Sequence, residues 1–161
     1  MADAELEKII SEVKSGIASV LHELDLPSRA IFAEKAEEFV YAPYDAIRKT
    51  SLYQRRGEGP GGIKNPDTYE TKIDDSSLTM TIISNLRGNP EYEPPRHNSK
   101  GWDSGNITEI IEEGIGYHWT GSTIYQEEPF PRPWMEKSGD IFVDELLIPA
   151  IDIKMKQILG G

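Results

Sequence analysis

"TYETKIDDSSLTMTII", residues Thr68 to Ile83, holds two alternating runs around one polar turn. Thr68, Tyr69, Thr71 and Ile73 open the first run, and Leu78, Met80 and Ile82 alternate with Thr79 and Thr81 before Ile83 in the second. A period of two places one set of side chains on one face of a strand. Asp74-Asp75-Ser76-Ser77 between the runs is turn chemistry, because short polar side chains bond their own backbone. The stretch predicts a β-hairpin with one buried face.

Helices flank it. Leu6, Ile10, Val13, Ile17, Val20 and Leu24 step by four, three, four, three, four, with Ile9 and Leu21 beside them. That is one narrow apolar stripe on a helix, predicted from about Ala4 to Leu24 and ending before Pro27. Such a stripe suits a single partner surface, either the domain's own sheet or a neighbouring helix. Ser28 is a predicted cap for a second helix carrying Ile31, Phe39 and Val40, which fades near Tyr41-Ala42-Pro43. After the hairpin, Asn106-Ile107-Thr108-Glu109 resembles a capping box for a short helix that buries Ile107, Ile110 and Ile111 and stops at Gly114. "GIGYHWTGSTIY" offers a further strand. Pro133 suits the first turn of a last helix with Ile141, Phe142, Leu146 and Ile148 on its apolar face. Pro149 is expected to kink or restart it.

Strands adjacent in sequence favour an antiparallel sheet, so the predicted class is α+β rather than doubly wound α/β. The expectation is a small antiparallel sheet packed by a long N-terminal helix and a C-terminal helix, with long loops. At 161 residues the chain fits one domain. Within it, 1–42 holds the N-terminal helices, 43–138 the sheet and loops, and 133–161 the C-terminal helix. "GEGPGGIKNPD", 57–67, has four glycines and two prolines in eleven residues and is expected to be a mobile loop. It lacks the Gly-Lys-Ser/Thr ending of a phosphate-binding loop. Residues 88–105 are expected to form a second long loop.

Composition narrows the function. The chain has no cysteine, which removes disulfides, thiolate metal sites and cysteine nucleophiles. It has no apolar run long enough to span a bilayer and no basic leader, so neither a membrane nor an export role is expected. The net charge is −11. Residues 1–50 hold 6 basic and 10 acidic side chains, 51–105 hold 7 and 8, and 106–161 hold 4 and 10. Specific nucleic-acid binding is not expected of such a chain, because affinity there comes from neutralising phosphates. Acidity serves solubility, and it also lets DNA slide past without sticking.

Site chemistry is sparse. His22, His97 and His118 form no metal-binding or catalytic spacing. "TGST" and "DSG" are turn sequences, not nucleophile elbows. Glu112-Glu113 and similar pairs point apart on a helix and read as solvated faces. No cofactor and no catalytic residue is expected. What stands out is aromatic and arginine side chains in loops: Tyr53, Arg55, Arg56, Trp102, Tyr117, Trp119, Arg132 and Trp134. These residue types anchor protein interfaces, because they bury much area and keep a polar handle. The alternative for the tryptophans is the domain's own core.

Three islands carry a family resemblance: "VYAPY...SLYQRRGEGPGG" at 40–62, "ITEIIEEGIGYHW" at 107–119 and "PRPWMEKS" at 131–138. They resemble the minor structural proteins of long-tailed bacteriophages and prophages, the neck or tail-completion and head–tail joining proteins. The resemblance implies an α+β virion subunit that assembles in the host cytoplasm into a ring, usually a hexamer, at the top of the tail. Its partners would be itself, the connector or adaptor, and the tail terminator or tail tube. DNA would pass through the ring on ejection, with Glu112 and Glu113 as channel-lining candidates. The family carries no catalytic residues. Rival readings are a tail terminator, an adaptor that forms no ring, and a small phage hydrolase joining carboxylates to His97 or His118.

Overall fold

The computed structural model describes residues 2–43, 57–86, 108–113 and 131–160. Two helices come first: α1, Ala2–Glu23, and α2, Asp25–Ala36, the latter running into a wider π turn at Glu37–Tyr41. A 3-10 turn at Pro66–Thr68 leads into β1, Tyr69–Asp74, which is followed by β2, Thr79–Ser84. Short α3 spans Thr108–Glu113. The last helical run holds α4, Trp134–Phe142, a π turn at Val143–Leu147, and α5, Ile148–Leu159. The architecture is α+β, with helices around a small two-stranded antiparallel sheet.

The hairpin forms where the alternation placed it. Its register runs from Tyr69 opposite Ser84 to Asp74 opposite Thr79. Tyr69, Thr71, Ile73, Met80, Ile82 and Ser84 are buried or half-buried on one face, while Glu70, Lys72, Thr79 and Thr81 are exposed. The Asp74 carboxylate organises the turn by accepting from the Ser76 amide at 2.9 Å and the Ser77 amide at 3.4 Å. Leu78 closes the turn at φ 52°, a left-handed conformation that a branched side chain adopts at a cost.

The first helix ends close to where it was expected, at Glu23 with the break at Leu24, but the second starts earlier than expected: α2 begins at Asp25, so Pro27 lies in its first turn. The amides of a first turn have no intrahelical partner, so a proline there forfeits nothing. Ser28 is not a cap: it is buried inside α2, and its hydroxyl donates to the Asp25 carbonyl at 2.7 Å. Asp25 instead ties elements together, since its carboxylate accepts from Arg29 of α2 and from the Thr71 hydroxyl of β1.

Pro149 restarts the helix without ending it. Just before it the Ile148 amide bonds the Val143 carbonyl, five residues back. This widened turn absorbs the missing proline amide and the bulk of its ring. Gly160, at φ 71°, then caps α5 in the left-handed region.

The core has two parts. One gathers Phe32, Ala36, Val40, Ile63, Tyr69 and Trp134, with Ala33, Leu86 and Ile111. The other holds Val20, Leu24 and Phe142, against which Ile151 and Ala150 of α5 pack. Ile82 of β2 packs against both. Gly16 of α1 lies against Ile158, so close that a β-carbon there would sit 2.4 Å from the isoleucine methyl. With the Val20–Leu24 end of α1 in the cluster that Ile151 packs on, and Gly16 against Ile158, α1 and α5 run antiparallel. The first turns of α1 therefore extend past the end of α5.

Candidate functional site

The segment Pro131–Ser138 is built into the centre of the fold. The Arg132 amide donates to the Ile111 carbonyl of α3 at 2.9 Å. Glu112 of α3 turns its side chain onto the start of α4, where its carboxylate accepts from the Met135 amide. A carboxylate at a helix N-terminus satisfies an orphan amide and meets the positive end of the dipole. Burial raises the Glu112 pKa above the ordinary carboxylate value; the Met135 amide opposes that shift and nearby Glu136 adds to it.

Trp134 follows at 0% exposure. Its ring lies in the cluster with Tyr69, Phe32 and Val40. The indole Nε1 is near enough to the Tyr69 oxygen to influence its ionisation, but no hydrogen bond of sound geometry forms. One turn on, the Ser138 hydroxyl is likewise fully buried, without a hydrogen-bond partner among the described residues. Tyr69 donates to the Ile63 carbonyl at 2.6 Å, and burial pushes its phenol well above the usual pKa.

The glycine stretch completes the joint, and it is not the mobile loop that its composition suggested. The Gly62 amide donates to the Gly59 carbonyl at 2.9 Å and the Lys64 amide to the Gly57 carbonyl at 3.0 Å. The Thr68 hydroxyl, itself buried, donates to the Gly62 carbonyl at 2.7 Å. A β-carbon on Gly62 would fall 2.2 Å from the Gly57 carbonyl oxygen, so only glycine fits this fold of the chain.

The positions of the sequence candidates are now clear. Trp134 offers no surface to a partner and is a core residue, because the helix it starts packs on α2 and its ring joins the cluster around Phe32 and Tyr69. Arg132 is half-buried beside α3. Glu112 is half-buried as the cap of α4 and does not present a free carboxylate as a channel lining would; Glu113 lies at the end of α3, with its side chain outside the described residues. Tyr53, Arg55, Arg56, Trp102, Tyr117 and Trp119 lie outside the described residues, as do His97, His118 and the further strand expected near Ile115–Tyr125. His22 ends α1 on the surface and meets Asp75 of the hairpin turn at 2.9 Å. Among the described residues no group of three or more acidic or histidine side chains is placed to hold a metal ion, and no helix is long and apolar enough to cross a membrane.

Two features escaped the sequence reading. Tyr69 is the hub of the larger core, and its only signal is an aromatic opening an alternating run after Asn-Pro-Asp. The second is that Leu6, Ile9 and Ile10 are exposed at 57%, 40% and 45%. A stripe shows which residues share a face, not how far along the helix that face is covered. No family model matches the chain, and no curated protein or solved structure matches it significantly.

Proposed function

We propose that this chain is a non-catalytic virion structural protein, a subunit of a homo-oligomeric ring at the head–tail joint of a long-tailed phage, through which DNA passes during ejection. The observation that supports this reading is the meeting of the resemblance islands in space. Val40 of the first, Ile111 of the second and Trp134 of the third share one core, at 1%, 8% and 0% exposure. Backbone and cap contacts join the second island to the third. Gly62, at the end of the first, anchors the turn that delivers Ile63 to the same core. The three islands thus contribute to one packed unit.

The reading assigns assembly to surfaces around this joint. Arg132 then serves a contact with a neighbour's carboxylate, and Tyr53, Trp102 and Trp119 are further candidates for contacts between subunits. Light scattering behind a sizing column, with negative-stain images of the large peak, tests it. Rings of about six subunits are the expected result. A monomer at high concentration overturns self-assembly into a ring and favours the adaptor. Arg132→Ala is expected to weaken assembly while leaving the folded subunit intact; unfolding of that variant would make Arg132 an internal brace.

A further inference from the structure

We draw no further inference here: the strongest candidate, the exposed apolar end of α1 at Leu6, Ile9 and Ile10, carries nothing, because nothing in the structure shows what covers it.

Discussion

Tyr69, Trp134 and Ser138 bring three polar atoms into the larger core, and they do not fare alike. Tyr69 has an acceptor in the Ile63 carbonyl at 2.6 Å. Tyr69→Phe removes the donor and strands that buried carbonyl, so it should lower stability by about 1–3 kcal/mol in urea titration. Ser138 has no partner among the described residues, so its hydroxyl is desolvated with no bond in return. Ser138→Ala should therefore raise stability by about 1 kcal/mol, helped by alanine's helix propensity. A loss instead would mean that the hydroxyl is satisfied in solution. Glu112 is a third residue-scale case. Glu112→Ala removes the cap of α4 and should cost about 1 kcal/mol. Burial raises the Glu112 pKa, so the folded chain holds that proton more tightly than the unfolded one, and this group's contribution declines as pH rises past the ordinary carboxylate value. Glu112→Gln keeps an acceptor and removes the charge, so its loss should be the smaller of the two, by thermal melts at pH 7.

At the scale of elements, the hairpin turn carries a pH signature. Hydrogen bonds from Ser76 and Ser77 lower the Asp74 pKa to about 2. A depressed carboxyl pKa means that the unfolded chain takes up the proton first, so the contribution of Asp74 is present above the ordinary carboxylate value and is lost as pH falls from there through about 2. Asp74→Asn should flatten that acid limb in melts across the same range; an unchanged limb would place the acid sensitivity elsewhere. The hairpin was readable in the sequence because period-two alternation and turn chemistry are local facts. The start of α2 was not, because Pro27 reads equally as a helix breaker and as a first-turn residue, and packing decides between them. Pro149 was read as a kink or a restart, of which the structure shows the restart, while the π turn that accommodates it has no local code. The glycine stretch was misread for a related reason. Glycine content reports freedom in the unfolded chain, whereas the bonds of Gly57, Gly59 and Gly62 are set by the turn's own closure and by Thr68. Gly62→Ala drives a methyl into the Gly57 carbonyl and should cost several kcal/mol.

For the whole molecule, what matters is whether its two core parts behave as one. They share Ile82, and a single helical run carries Trp134 in one part and Phe142 in the other. This is also where the sequence was least informative about the site. It identified the islands and their aromatics, but whether an aromatic faces inward or outward depends on contacts between segments far apart in the chain. Trp134 went inward because α3, the glycine turn and β1 meet around it. If that meeting also couples the smaller core, a lesion at Leu24 must be felt at Trp134. Leu24 is 9% exposed and packs in the smaller part, so Leu24→Ala should cost about 2–4 kcal/mol. Far-UV circular dichroism follows all the helices, and near-UV dichroism follows the packed aromatics. In urea both signals of the parent should trace one transition, and in Leu24→Ala both midpoints should fall together. A near-UV midpoint that stays while the far-UV midpoint falls would show that the aromatic joint folds as a unit of its own. The joint would then be preformed for assembly, and α1 with α5 would be a separable arm.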